Sequence, residues 1–331
     1  MLSVIVPTYN SEKTIEFCLQ VVKKSEKVDF ELIVVDDGSL DATISIAKKY
    51  ADKLIEHPKN LGRGQARNAG VASAQGEILV FIDSDVVVKD DSLSIIKAYF
   101  LAHSEVDALC GMLSKEHPNP DFLSQYKNLY MNYIFSKLPE RINFLYGSIH
   151  AIRREAVMSY GEGAKIADDT EQGQKLSARG NKIAFLKDLQ VVHLKKYTFL
   201  SFVKNDFQIP YEWVKIFLRY KGWNEIGKNK GGYLHSPKEQ LVSVVLAPID
   251  LLLLGAAIWV NAILPLFGVI LAAWFFLNLG FFSFLLGEKG LVFGMFSVFV
   301  TFIDHLIMAA GIVSGFLAGS LCFIKRKSTN L

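Results

Sequence analysis

Between residues 241 and 324 the chain carries only four charged side chains, Asp250, Glu288, Lys289 and Asp304. Such a stretch suits lipid better than water, because about 18 or more apolar residues in a row are enough to cross a bilayer. Three segments qualify, 241–260, 262–286 and 291–324. The last is long for one crossing and contains Asp304 and His305. The basic "KRK" at 325–327 belongs in the cytoplasm by the positive-inside rule. No secretory signal pattern opens the chain: "LSVIVP" has too short an apolar core and no basic leader. The N-terminal region is therefore expected in the cytoplasm too. Two cytoplasmic ends require an even number of crossings, between two and four. Either one segment is re-entrant or interfacial, or 291–324 holds a broken pair.

Residues 1–240 read as an ordinary mixed sequence, so the 51% hydrophobic content of the 331-residue chain is concentrated at one end. A net charge of +3 is too small to suggest nucleic acid, and no aromatic-basic repeat of the single-strand binders is present. Cys18, Cys110 and Cys322 are isolated, which argues against a zinc site or a disulfide framework.

Apolar runs at 3–7, 31–39, 53–57 and 77–83 predict strands, and the periodicity between them predicts helices over 11–24, 41–50 and 64–74. Ser11 is the expected N-cap of the first helix. Strand and helix alternating through short connections predict an α/β fold with a mainly parallel sheet. Further on, helices are expected at 91–103, 121–138 and 168–180, and strands at 107–112, 143–154, 182–188 and 190–195. Ligands of such sheets bind outside the carboxyl ends of the strands. Three strands here end in "TYN", "DDGS" and "DSD". In "FIDSDV" the acids Asp83 and Asp85 are two apart, so on a strand they would point at one spot. Hard oxygen ligands so placed suit Mg²⁺ or Mn²⁺. "GRGQAR" comes near the dinucleotide fingerprint, but Arg67 stands at the third glycine position and the motif follows the third strand. Arg63 and Arg67 read instead as cations for a diphosphate.

Taken in order, "SVIVPTYN", "VVDDGS", "NLGRGQARNAG", "FIDSDV" and "DDTEQGQKLSARG" resemble the family 2 glycosyltransferases of the GT-A fold, over about residues 2–220. The resemblance implies that Pro7, Thr8 and Tyr9 line a nucleotide pocket and that Asp36 or Asp37 binds the base, typically uracil. It implies that Asp83 and Asp85 hold the metal on the donor diphosphate, with Ser84 between them at the donor site. Asp169 would be the general base, and His193 would complete the metal shell as in some relatives.

Processive synthases of this family carry Q-x-x-R-W, whereas "DFQIPYEW" spaces Gln208 and Trp213 too widely and supplies no Arg. Single-sugar transfer is expected, from a UDP-linked donor to a hydroxyl of a lipid or lipid-linked glycan. The alternatives are transfer to a polyprenyl phosphate, a nucleotidyltransferase, or a binding protein without catalysis. A nucleotidyltransferase usually has a Gly-rich loop after its first strand, which "PTYNSEKT" lacks, and a degenerate domain would have lost the acids. Residues 198–220 mix aromatics with Lys204, Lys215 and Arg219 around Pro210, as an interfacial helix does. The expected organisation is a catalytic domain at 1–226, a linker at 227–240, membrane helices at 241–324 and a basic tail at 325–331. The whole is expected to be a multi-pass protein of the cell membrane.

Overall fold

The computed structural model describes residues 1–25, 28–161, 166–220 and 237–328, with side chains up to residue 319. The chain forms two compact units, Met1–Pro120 with Leu138–Lys196, and Asp121–Lys137 with Tyr197–Leu331. Most of the expected linker, 227–236, and the side chains of the basic tail lie outside the described residues.

In the first unit, β1 (Leu2–Thr8), β2 (Phe30–Asp36), β3 (Lys53–Glu56) and β4 (Ile78–Ile82) form a parallel sheet in the order β3-β2-β1-β4. Every residue of β1 is buried, the pattern of a strand covered on both faces. Helices α1 (Ile15–Lys23), α2 (Thr43–Ala47) and α3 (Arg63–Ser73) make the connections. Beyond them come β5 (Val86–Val87), α4 (Ser92–Ala102) and β6 (Ala108–Leu113). After α5 (Phe122–Ser136), which belongs to the second unit, the chain adds β7 (Arg141–Ile142), β8 (Ile149–Arg153), α6 (Asp168–Ala178) and β9 (Ile183–His193). Strand β8 is antiparallel to both β4 and β6, and β9 runs parallel to β6. The sheet is mainly parallel, as its sequence pattern predicts.

Several local expectations change. Thr14, without a side-chain capping bond, precedes α1, while the Ser11 hydroxyl meets Ser84 Oγ at 2.9 Å instead of capping the helix. The strand expected over 143–154 narrows to Ile149–Arg153, leaving 143–148 as a loop beside the site. The strands expected at 182–188 and 190–195 are one strand, β9.

The second unit contains α5, α7 (Phe199–Arg219), α8 (Lys238–Ala257), α9 (Leu264–Lys289) and α10 (Leu291–Ser328). Three of its helical stretches, Lys238–Ala257, Asn261–Lys289 and Leu291–Gly319, are long and apolar enough to cross a membrane. Helix α10 is continuous, so the third apolar segment is not a broken pair. Helix α7 runs unbroken through Pro210. It packs along α10 at a line of glycines: a Cβ on Gly311 would stand 2.3 Å from the Phe207 carbonyl oxygen, and one on Gly315 2.8 Å from that of Tyr211. Some of the polar groups inside this unit are tied together. Tyr126 donates to Thr301 Oγ1 at 3.0 Å, Trp274 Nε1 to His305 Nδ1 at 3.0 Å, and Lys127 pairs with Asp206.

Candidate active site

The parallel register places the carboxyl ends of β1, β2 and β4 along one edge, where a cavity of about 1820 Å³ opens. Pro7, Thr8 and Tyr9 line it at the end of β1. Asp37, Arg63, Asp83, Ser84, Asp85 and His193 line it as well, whereas Asp36, Arg67 and Asp169 do not.

The two acids after β2 are used differently. Asp36 is fully buried and its Oδ2 accepts from the amides of Gly38 and Ser39, at 3.1 and 2.8 Å. This closes the turn after the strand. Gly38 has φ +80°, and a Cβ there would meet the Lys59 backbone at 2.6 Å, so only glycine fits. Asp37 accepts from the amides of Leu61 and Gly62, at 2.9 and 2.8 Å, and meets His57 Nδ1 at 2.8 Å. It thereby anchors the loop that leads into α3. His57 was not expected in this role, although it stands at the polar end of a predicted strand.

Asp83 and Asp85 share the cavity but have different partners. Strand β4 stops at Ile82 and the acids lie in a turn, closed by the Val86 amide on the Asp83 carbonyl at 3.2 Å. The two-residue alternation of a strand therefore does not govern them, which corrects the expectation that they aim at one spot. Asp83 Oδ1 accepts from Arg67 Nη2 at 3.0 Å, and its Oδ2 lies 3.7 Å from Arg63 Nη1. Asp85 Oδ2 instead lies 3.5 Å from His193 Nε2. Ser84 Oγ meets Ser11 Oγ at 2.9 Å. Burial lowers the pKa of His193, against the opposing pull of Asp85, and so favours an imidazole with a free lone pair. A carboxylate oxygen and a neutral imidazole nitrogen facing one cavity fit Mg²⁺ or Mn²⁺ as a partial shell. Among the described residues no group of three such donors is assembled, so further ligands would have to come from a substrate.

Beneath the cavity lies a charge cluster. Arg63 holds Asp168 through Nε at 2.9 Å and Nη2 at 2.7 Å, and Arg67 holds the other oxygen of Asp168 through Nη1 at 2.6 Å. Burial works against ionisation of Asp83 and Asp168, but Arg63 and then Arg67 prevail, leaving both carboxyls below their usual range. Asp169 is the exception. Among the described residues its one ion-pair approach is that of Arg63 Nη2, at 3.9 Å. Burial, helped by the charges of Asp168 and Asp83, pushes its carboxyl up to about 6.

Comparison with known proteins bears on the domain as a whole. Residues 3–161 match the family model described as glycosyl transferase family 2. The poly(ribitol-phosphate) beta-N-acetylglucosaminyltransferase TarS of Staphylococcus aureus is 41% identical over 108 residues, which are 30% of this chain and 19% of the relative. A cholesterol galactosyltransferase of Borreliella burgdorferi is 26% identical over 208 residues, 56% of this chain and 58% of the relative. The chain thus spans less than two thirds of the length of either curated relative. Among solved structures, the mannosyltransferase PcManGT of Pyrobaculum calidifontis, in complex with GDP-Man and Mn²⁺, superposes with a TM-score of 0.55 at 18% identity. The match covers 96% of this chain and 86% of that one. That likeness concerns the fold. Residues 3–161 thus match the glycosyl transferase family 2 model, on a mainly parallel sheet of GT-A type, and the described residues of the chain include three helices long and apolar enough to span a membrane.

Proposed function

We propose that the protein is a membrane-anchored, inverting glycosyltransferase. It moves a sugar from a UDP-linked donor to a hydroxyl of a lipid or lipid-linked glycan in the cell envelope. The reaction takes place on the cytoplasmic side of the cell membrane. The carrying observation is the separation of roles within the acid cluster: Asp168 is clamped by two arginines, while its neighbour Asp169 keeps a carboxyl held near 6. Groups whose surroundings push their pKa values apart are the usual mark of divided acid-base work. The family domain supports sugar transfer. The two curated relatives are named for transfer of N-acetylglucosamine to poly(ribitol phosphate) and of galactose to cholesterol, both hydroxyl-bearing acceptors.

In this reading Pro7, Thr8, Tyr9 and Asp37 bound the nucleotide end of the cavity, and Arg63 offers its cationic edge to the diphosphate. Asp85 and His193 would hold Mg²⁺ or Mn²⁺, its remaining ligands coming from the donor, and the ion when bound would neutralise the leaving diphosphate. Asp169 accepts the proton of the acceptor hydroxyl as that oxygen bonds to the anomeric carbon. The anomeric bond to the diphosphate breaks on the opposite face, so one displacement inverts the centre. Arg63 and Arg67 keep Asp168 ionised beside the base.

The test is nucleotide release by the purified full chain with Mn²⁺ and a panel of nucleotide sugars, with neutral glycolipid and polyprenyl phosphate as separate acceptors. UDP release stimulated by the glycolipid is expected. Transfer to polyprenyl phosphate alone would reassign the acceptor. Diphosphate release from a nucleoside triphosphate with a sugar phosphate would make the protein a nucleotidyltransferase.

A further inference from the structure

Helix α3 carries two arginines one turn apart, and they sit in different surroundings. Arg63 is 34% exposed at its side chain and borders the cavity. The Arg67 side chain is fully buried. Its guanidinium carbon lies 5.5 Å from the centre of the Tyr160 ring. Tyr160 is itself pinned by Asn68, which donates to its carbonyl at 2.9 Å and accepts from its amide at 2.8 Å. Gly147 lies close on the cluster as well: a Cβ there would stand 3.3 Å from Arg67 Nη2, 2.9 Å from Asp169 Oδ2 and 3.0 Å from Asp83 Oδ2. The guanidinium is thus boxed in, with one nitrogen on Asp168 and another on Asp83. Its Nε has no hydrogen-bond partner among the described residues.

We infer that Arg67 is a positioning residue. It fixes the separation between the donor end of the site at Asp83 and the base end at Asp168–Asp169, and it does not contact the donor. The inference rests on the transferase reading for what the two ends do. A buried arginine is costly to desolvate unless its charge is paired and its donors are used. The planar fork of a guanidinium spans two carboxylates at a set distance, which a lysine ammonium, a point charge on a flexible stem, does not. Gly147 completes the device, because any side chain there would push Asp83 and Asp169 apart. The reacting atoms lie between those acids in the proposed mechanism, so a small displacement of either is felt in turnover.

The test compares the full chain in detergent with Arg67→Met, Arg67→Lys and Gly147→Ala. Turnover at saturating donor is expected to fall on the order of 10²-fold in Arg67→Met, the cost of a misplacement of about 1 Å. Affinity for UDP with Mn²⁺, read by calorimetry, is expected to stay at the wild-type value. Arg67→Lys should not restore turnover, and Gly147→Ala, which changes no charge, should show the same split. Lost UDP affinity with turnover retained at saturation would make Arg67 a diphosphate ligand and overturn the inference, as would full activity of Arg67→Lys.

A second readout needs no turnover. Carbodiimide labelling followed by mass spectrometry should find Asp168 protected in the wild type and modified in Arg67→Met, while Asp36, buried elsewhere, stays protected in both. Equal protection of Asp168 in wild type and variant overturns the inference whatever the transferase assay gives. A wild-type protein that turns over no nucleotide sugar counts against the transferase reading, and the labelling then decides the role of Arg67 by itself.

Discussion

His193 Nε2 stands 3.5 Å from Asp85 Oδ2, although 108 residues separate them in the chain. A two-residue strand brings them together. In the β5–β9 pair Val86 faces His193 and Val87 faces Val192, and the Leu194 amide donates to the Asp85 carbonyl at 2.8 Å. The last residue of a long strand is thereby delivered to the acid turn after β4. Oxygen and nitrogen donors then meet at the wall of the cavity.

If this pair holds the cation, excess EDTA should abolish nucleotide release and added Mn²⁺ should restore it. His193→Ala should raise the half-saturating Mn²⁺ concentration on the order of 10–100-fold, a range found even for groups that only support a metal ligand. Asp85→Asn should abolish transfer with the fold intact. Unchanged Mn²⁺ dependence in both variants would remove the pair from the metal site.

Asp169 sets the expected pH dependence. Burial raises its carboxyl to about 6, and a base works in its ionised form. Turnover should therefore climb as pH rises through about 6 and level off above. Asp169→Asn should remove this limb and lower kcat by about 10²–10⁴-fold, with donor affinity retained. A variant that keeps both the limb and the rate would place the base elsewhere.

Asp168 should matter for stability as well. Its folded-state pKa is depressed, because Arg63 and Arg67 outweigh the opposing effect of burial. Its contribution is present above the unfolded carboxyl value of about 4 and is lost as pH falls through the folded one. Asp168→Asn leaves the buried Arg67 charge with Asp83 alone and should cost about 3–5 kcal/mol at neutral pH. Thermal unfolding followed at neutral and acidic pH would show the penalty shrinking as the medium is acidified.

In the second unit, Gly311→Val should force α7 away from α10, since even a Cβ would meet the Phe207 carbonyl oxygen at 2.3 Å. Overpacking of this kind costs about 1–3 kcal/mol. The variant should unfold at lower temperature in detergent while its UDP affinity stays at the wild-type value. Equal thermal stability would mean that the helix pair tolerates separation.

Local chemistry made part of this protein legible in its residues alone. A stretch with four charges cannot be an ordinary soluble domain, and strands that end in "TYN", "DDGS" and "DSD" advertise a polar edge, because composition and periodicity act over a few residues. Nine of the residues that line the cavity, among them Asp37, Arg63, Asp83 and Asp85, could be named from their motifs, but not what they touch. An apolar run carried on past Ile82 aimed Asp83 and Asp85 at one spot, and Arg63 and Arg67 look alike as two cations of one short motif. Only the tertiary structure separates them. Arg67 is buried because α6 delivers Asp168 from 101 residues away and the 143–148 loop brings Gly147 against the cluster. Likewise β5 is too short to be seen as a strand until β9 pairs with it. Docking between distant elements decides burial, ion pairing and the unequal pKa values of Asp168 and Asp169, because each depends on charges and solvent exclusion supplied by residues far away in the chain.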